Sequence, residues 1–226
     1  PTELLEQPED REARPGDAAV LARLESLYRA ESMWDDLLEN LRLQAAGAED
    51  KARRVELRVA LGELHASRLE DPASALEQYR LVLAEDPTER RAADALRKIA
   101  EEREELRLDA TDVLLPVVTS EGRHEDRVAL LELRLSSLSE PTDRAQALRT
   151  MATVLDRDLG RSADALGALL RALEETPDDP SLHEDVAAVS EKAGDFGRYA
   201  DVLATRAGAT LDAVVARDLH VRHGKI

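Results

Sequence analysis

Residues 57–87 read LRVALGELHASRLEDPASALEQYRLVLAEDP, and residues 147–177 read ALRTMATVLDRDLGRSADALGALLRALEETP. Placed one above the other, 90 residues apart, the two stretches keep apolar or small residues at the same positions. Gly62 lies over Ala152, and each stretch closes on a proline. Self-similarity at a fixed spacing is the signature of a repeat architecture. The chain therefore contains at least two copies of one structural unit.

Matches outside these stretches extend the repeat in both directions. Residues 34–41 match residues 124–131 at the same spacing, and they match residues 196–203 after a further 72 residues. At the end of the chain, residues 219–226 match residues 57–64, which predicts a third copy that is cut inside a helix. We expect four-helix units over residues 17–87, 88–177 and 178–226, the last of them truncated.

The two spacings differ by 18 residues, and at about 100° per residue such an insertion adds about five whole helical turns. A helical region absorbs this addition without rotating its apolar face. The inserted residues follow Pro87, and two helices at about 88–103 and 107–121 are one prediction, with Asp109 as a possible N-cap and Pro116 as a kink point. One long kinked helix is the alternative.

The composition favours helices throughout. Hydrophobic residues make up 43% of the chain but aromatic residues only 2%, so the core must be built from Leu, Ala and Val. Ala and Leu are strong helix formers, whereas strands favour β-branched and aromatic residues. The first copy predicts helices at 17–30, 32–46, 50–69 and 72–85. Short gaps between them require antiparallel neighbours, so we expect an all-α superhelix of about 11–12 antiparallel helices.

Proline and glycine mark the expected ends of the helices. Proline is favoured just after a helix starts and glycine just after it stops. The predicted breaks are Pro15-Gly16, Gly47, Asp71-Pro72, Asp86-Pro87, Gly122, Glu140-Pro141, Gly160, Pro177 and Gly194. Residues 1–16 are rich in charge and proline, so we expect them to be irregular, with a single helical domain over residues 17–226.

The hairpin at residues 50–85 resembles a tetratricopeptide repeat (TPR). That family places a small residue on the first helix, and Ala, an aromatic, Ala and Pro on the second. The matching residues are Gly62, Ala75, Tyr79 and Pro87 in one copy, with Val82 at the second Ala, and Ala152, Ala165, Ala172 and Pro177 in the next, with Leu169 at the aromatic. The resemblance implies a right-handed solenoid, similar to the long degenerate arrays of large bacterial proteins.

Charge and cysteine content narrow the classes of partner. The chain has 31 basic and 48 acidic residues, giving −17, so nucleic acids and anionic membranes are poor partners. The acidity either keeps an elongated molecule soluble or attracts a basic protein or peptide.

The absence of cysteine excludes disulfides and thiolate sites and fits a reducing compartment, and we expect a cytoplasmic location. No 18-residue apolar run is present, so we expect no membrane-spanning helix. The chain begins without methionine, and we expect it to be a fragment of a longer protein.

Candidate chemical groups are few. His220 and His223 have a spacing that can bind a metal, but no third ligand is apparent nearby. His183, in the segment His183-Glu184-Asp185, is expected in the first turn of a helix, where acidic residues complement the helix dipole. His124 and His65 are interpreted as half-buried repeat residues. The aromatic residues Trp34, Tyr79 and Phe196 are expected to be core anchors. We therefore predict no catalytic, metal or cofactor-binding residues, and no enzyme.

The surface created by stacked hairpins is the remaining candidate. Arrays of this kind expose an inner face lined by the first helix of each hairpin, which suits peptides or partner helices. The family's inner-face positions correspond to Glu56, Glu63, Gln146, Thr153 and Arg157. We expect a protein-interaction scaffold. The alternatives are a structural spacer that self-associates through its truncated ends, and a regulatory segment fused to a catalytic domain outside this chain.

Overall fold

The computed structural model describes residues 18–209 and residue 217. Eleven α-helices occupy this part of the chain, and it contains no strand. They are α1 (Ala18–Ala30), α2 (Trp34–Gly47), α3 (Lys51–Ser67), α4 (Pro72–Glu85), α5 (Arg90–Glu102), α6 (Arg107–Ser120), α7 (His124–Leu135), α8 (Pro141–Thr153), α9 (Ser162–Glu175), α10 (Pro180–Ala193) and α11 (Phe196–Ala209). The predicted all-α class and helix number are confirmed.

The helices begin and end where proline, aspartate and glycine predict. Helix α4 begins at Pro72, and the Asp71 carboxylate accepts a hydrogen bond of 3.0 Å from the backbone N–H of Ser74. Such an N-cap satisfies a backbone donor that the helix leaves unpaired. Helix α10 begins in the same way, at Pro180 after Asp179. The predicted break at Pro15-Gly16 and the irregular segment 1–16 lie outside the described residues.

The inserted region forms two helices. A 3₁₀ turn at Glu104–Leu106 separates α5 from α6, so the two-helix prediction is confirmed and the single kinked helix is wrong. Asp109 is not the N-cap, because α6 already begins at Arg107. The guanidinium of Arg107 donates a hydrogen bond of 2.8 Å to the carbonyl of Ala100, which holds the turn between the helices. Pro116 lies inside α6 and does not end it.

The chain divides into two compact units, with unit 1 ending at Leu96 and unit 2 beginning at Arg97. In unit 1, consecutive helices from α1 to α4 pack against each other, around a core of Leu37, Leu41, Leu57, Leu61 and Leu64. In unit 2, consecutive helices from α6 to α11 pack in the same way around Leu- and Ala-rich faces. A single domain over residues 17–226 stays a prediction.

An arginine–glutamate pair closes the best-matched hairpin of each unit. Arg54, near the start of α3, donates from Nε to Glu85 at the end of α4, at 2.9 Å, and from Nη1 to the loop carbonyl of Ala48, also at 2.9 Å. Arg144 and Glu175 repeat the contact 90 residues later, at 2.8 Å. The hydrogen bond from Arg54 lowers the pKa of the Glu85 carboxyl. Because each pair joins a helix start to a helix end, the helices of each hairpin run antiparallel.

Two turns of unit 1 place a side chain in backbone conformations that favour glycine. Ser32 has φ of 57° and Glu70 has φ of 52°. At the matching positions of unit 2, Gly122 and Gly160 both have φ of 66°. A residue with a Cβ atom is strained in the left-handed region, whereas glycine is not. The two copies thus share their turn geometry, but only the second has the residue type that suits it.

We expect Ser32→Gly and Glu70→Gly each to raise the free energy of unfolding by about 1 kcal/mol, because each relieves left-handed strain at a helix end. Chemical denaturation followed by circular dichroism measures the change. The reciprocal variants Gly122→Ser and Gly160→Glu should lower stability by a similar amount. A loss of stability in both unit 1 variants would contradict the assigned turn geometry.

Candidate functional site

The two predicted inner-face residues of unit 1 are exposed but already paired. Glu56 and Glu63 lie on α3. Arg53 donates a hydrogen bond of 2.7 Å to Glu56, one turn away on the same helix. Arg91 of α5 donates one of 2.7 Å to Glu63. Each carboxylate therefore has a cationic neighbour within unit 1.

The three predicted residues of unit 2 line one groove. Gln146 and Thr153 lie on α8, and Arg157 lies on a π-helical turn, Val154–Asp158, that continues α8. Helix α10 forms the opposite side, and Leu169 of α9 lies beneath. We call this surface the α8–α10 groove. It consists of two neighbouring cavities that share Arg149 in their walls.

Two ion pairs cross the groove from one helix to the other. Arg149 of α8 donates from Nε to Asp185 of α10 at 2.5 Å, and from Nη1 to the hydroxyl of Ser181 at 2.9 Å. Further along, Lys192 of α10 donates to Asp156 of the π-helical turn at 2.5 Å. These contacts connect the two sides of the groove at separate points along its length. They were not predicted from the sequence.

Asp156 supplies a fixed negative charge inside the groove. Its side chain is only 8% exposed and accepts hydrogen bonds from Lys192 and, at 2.8 Å, from the hydroxyl of Ser162. The hydrogen bond from Lys192 lowers the pKa of the carboxyl most, followed by the one from Ser162, and these effects outweigh the raising effect of burial. Because hydrogen bonds to the charged form favour it, Asp156 is ionised at neutral pH.

Apolar side chains form the floor between the two ion pairs. Ala152, Leu169, Ala188 and Val189 line a cavity of about 120 Å³. In unit 1 the matching hairpin pair is Gly62 and Tyr79, and there the aromatic ring fills the space beside the small residue. Unit 2 has Ala152 with the shorter Leu169 at these positions. The groove therefore combines an apolar depression with charged walls.

Arg157 is the cation of the groove that has no carboxylate within ion-pair distance among the described residues. It is exposed and lies close enough to Asp156 to lower the pKa of that carboxyl. The π-helical turn positions both residues, and such turns occur frequently at functional sites. The matching part of α3 is regular α-helix as far as Ser67.

The similarities between this chain and known proteins are distant. No family model and no curated protein matches the chain. Among solved structures, MamA (crystal structure) is 14% identical with a TM-score of 0.35, covering 92% of this chain and 93% of that one. A MamA double mutant (RS-1 ArsTM) is 14% identical with a TM-score of 0.34, covering 92% of both chains. A putative kinesin light chain from Podospora anserina, with nearly identical TPR-like repeats, is 15% identical with a TM-score of 0.38, covering 93% of this chain and 98% of that one.

These TM-scores are low, so they give no support for the architecture. The support comes from the helix packing within each unit. The aromatic ring of Tyr79 lies against Gly62, as the TPR pattern requires, and α3 and α4 form an antiparallel hairpin. The architecture is TPR-like. In the second TPR-like hairpin, Ala152 and Leu169 take the corresponding positions and both are buried.

His183 and His65 are both buried, and the interpretation of each from the sequence needs correction. His183 is buried: Nε2 donates to the carbonyl of Pro177 at 2.7 Å, and Nδ1 lies 2.8 Å from the Tyr199 hydroxyl. The acidic residue that complements the start of α10 is Asp179, rather than Glu184 or Asp185. His65 is 4% exposed and therefore fully buried, not half-buried.

The other histidines offer no metal site in the described part of the chain. His124 is half-buried, as predicted, with Nδ1 3.4 Å from the Asp158 carboxylate. His220 and His223 lie outside the described residues. Within residues 18–209, no group of three or more His, Cys, Asp or Glu side chains is arranged to hold a metal ion. No helix of the described residues is long and apolar enough to cross a membrane.

The aromatic anchors are confirmed only in part. Tyr79 is buried, and Trp34 is half-buried with the guanidinium of Arg68 4.9 Å from its ring centroid. Phe196 is 40% exposed, so its prediction as a core anchor is wrong. Tyr199, one turn further along α11, is buried instead and reaches His183. Alignment with Trp34 identified the correct helix but not the face that packs.

Proposed function

We propose that the chain is a non-catalytic protein-interaction scaffold, and that unit 2 binds a segment of a partner protein in the α8–α10 groove. The observation that carries this proposal is the combination of an apolar floor with walls of oriented charged groups. Specific protein recognition uses this arrangement, in which a buried apolar contact supplies affinity and polar neighbours fix orientation. Three residues chosen from the sequence, Gln146, Thr153 and Arg157, line the groove.

The geometry of the groove supports binding of a protein segment better than it supports catalysis. Most charged groups of the groove are engaged in ion pairs, Arg149 with Asp185 and Lys192 with Asp156, and the hydrogen bond from Lys192 lowers the pKa of the Asp156 carboxyl. General acid–base catalysis instead needs a group whose pKa lies near the working pH. Paired charges around an apolar floor suit a docking surface.

The overall charge of −17 adds a long-range effect to this local chemistry. An acidic protein attracts basic partners from a distance and raises their association rate, and salt screens this attraction. A basic partner protein is therefore favoured in the encounter. The contacts made inside the groove depend on the residues that line it, rather than on the net charge of the protein.

The test is affinity capture from lysate of the source organism, comparing the protein with a variant whose groove is filled. Ala188 is exposed and lines the cavity, so Ala188→Trp should block the groove without disturbing the core. Ala84→Trp is the matched control, because Ala84 is an exposed residue of α4 in unit 1. We expect the original protein and the control to recover the same partners. The amount recovered with Ala188→Trp should be about tenfold lower.

Two results would contradict the proposal. Equal recovery with Ala188→Trp would show that partners bind elsewhere on the protein. Recovery of nothing but the protein itself would favour the spacer or self-association alternative. Repeating the capture at raised salt separates the long-range electrostatic contribution, which weakens, from the apolar contact, which persists.

A further inference from the structure

We propose that the segment bound in the α8–α10 groove is acidic, with a carboxylate that pairs with Arg157 and a neighbouring apolar side chain that enters the cavity over Ala152 and Val189. This inference rests on the proposed function and specifies the chemistry of the partner. It concerns the contacts inside the groove, whatever the charge of the partner protein as a whole.

The distribution of charge along the groove supports an acidic occupant. Asp179 lines the neighbouring cavity, where its carboxylate accepts hydrogen bonds from Ser181. In the cavity that Arg157 lines, the cations are Arg149, Arg157 and Lys192, and the carboxylates are Asp156 and Asp185. Both carboxylates already bind a cation of the protein. An incoming lysine or arginine would have to displace Arg149 or Lys192 and would leave a cation unpaired. An incoming carboxylate meets Arg157 without breaking either pair.

Arginine is well suited to this role. Its guanidinium can bind a carboxylate through two parallel hydrogen bonds, which adds orientation to the charge attraction. The neighbouring hydroxyl of Thr153 is occupied, since it donates to the carbonyl of Arg149 at 3.0 Å. Arg157 is therefore the group that would bind the carboxylate of the acidic residue.

The apolar floor defines the second half of the recognition. Arg157, Ala152 and Val189 line the same cavity, so a ligand that reaches the guanidinium also covers the apolar depression. A purely acidic segment would leave this surface in water, whereas an acidic residue next to an apolar one uses both features. We therefore infer a segment with one carboxylate and one apolar side chain close together in sequence.

Unit 1 provides an internal comparison because its matching positions lack this chemistry. Ala66 stands where unit 2 has Asp156, and Ser67 where it has Arg157. The exposed residues of the corresponding face include Glu56 and Glu63. An acidic segment would find no cation there at the position that matches Arg157. Binding should consequently be confined to unit 2.

The experiment is selection of random short peptides on the immobilised protein, followed by fluorescence anisotropy of the selected peptides. We expect enrichment of peptides with Asp or Glu beside an apolar residue. Their affinity should fall about tenfold in Arg157→Glu, because a charge-assisted hydrogen bond is lost and a repulsion is gained. Arg23→Glu makes the same charge change at an exposed position of α1 and should leave the affinity unchanged.

The outcomes separate this inference from the proposed function. Selected peptides that are basic, or whose affinity is unaffected in Arg157→Glu but lost in Ala188→Trp, would overturn the acidic segment and leave the groove as a docking site. Peptides that bind Ala188→Trp as well as the original protein would overturn both. Failure to enrich any peptide would also overturn the acidic segment, with the scaffold function then decided by the capture experiment.

Discussion

Replacing Gly62 by leucine lowers the free energy of unfolding by about 1–3 kcal/mol, through overpacking between α3 and α4. A Cβ atom built on Gly62 would lie 2.5 Å from Cε1 of Tyr79, which is closer than carbon atoms approach in folded proteins. Tyr79 is buried, so its ring has little space to move away. The loss is measured by chemical denaturation, and circular dichroism shows whether the helices remain.

Two further variants test the cause of this loss. Gly47→Leu changes the same residue type at the end of α2, where nothing lies within 4 Å of the added Cβ, and should cause little loss. Gly62→Ala alone should destabilise the protein. The double variant Gly62→Ala with Tyr79→Leu reproduces the residue pair of unit 2 and should recover part of the lost stability. A neutral Gly62→Leu would mean that the TPR register assigned to α3 and α4 is wrong.

Replacing His65 by leucine raises the free energy of unfolding at neutral pH by about 1–3 kcal/mol, because it removes a buried polar atom that lacks a hydrogen bond. Nδ1 of His65 has no hydrogen-bond partner among the described residues, and the nearest Asp71 carboxylate oxygen is 3.6 Å away. Leu155 occupies the matching position of unit 2 and is buried, so leucine fits this place in the fold. Thermal denaturation of the two proteins measures the gain.

The same substitution should remove a dependence of stability on pH. Burial lowers the pKa of His65 more than the Asp71 carboxylate raises it. The folded protein therefore binds this proton less readily than the unfolded chain, and stability falls as the pH drops below about 6.5. We expect a decline between about pH 7 and pH 5 in the original protein that is smaller in His65→Leu. The Asp71 carboxyl does not interfere, since the Ser74 hydrogen bond lowers its pKa.

The reciprocal variant supplies the control. Leu155→His places a histidine in the matching buried position of unit 2, and it should make stability more sensitive to acid. If His65→Leu left the pH dependence unchanged, the decline would have another origin. If it lowered stability at neutral pH, His65 would be making a favourable interaction, and the buried-histidine explanation would be wrong.

The repeat allowed most of the fold to be predicted from sequence. Helix ends follow local rules that proline, glycine and aspartate obey independently of tertiary contacts, and the predicted break at Gly194 coincides with a left-handed C-cap after α10. Burial depends on rotation of a helix about its axis, which spacing alone does not determine. For that reason the sequence located α11 correctly but predicted Phe196, rather than Tyr199, as its buried aromatic.

The groove was predicted less completely, for a related reason. Family positions on α8 led to Gln146, Thr153 and Arg157, but the ion pairs across the groove join residues on different helices. A comparison of the two copies contained some of the missing information. Asp156 stands where the first copy has alanine, Ala66. A charge that replaces alanine in a repeated position indicates a surface that differs in use between the copies.

In each of the two hairpins, the arginine of the arginine–glutamate pair makes all its contacts within one short continuous stretch of the chain. The contacts of Arg54 with Glu85 and Ala48 lie within residues 48–85. Those of Arg144 with Glu175, Leu138 and Leu135 lie within residues 135–175, which include the end of α7. A gene segment can therefore be exchanged or duplicated at these boundaries without separating the arginine from its glutamate. An array can therefore gain or lose a hairpin of this kind while the hairpin keeps its own closing contact.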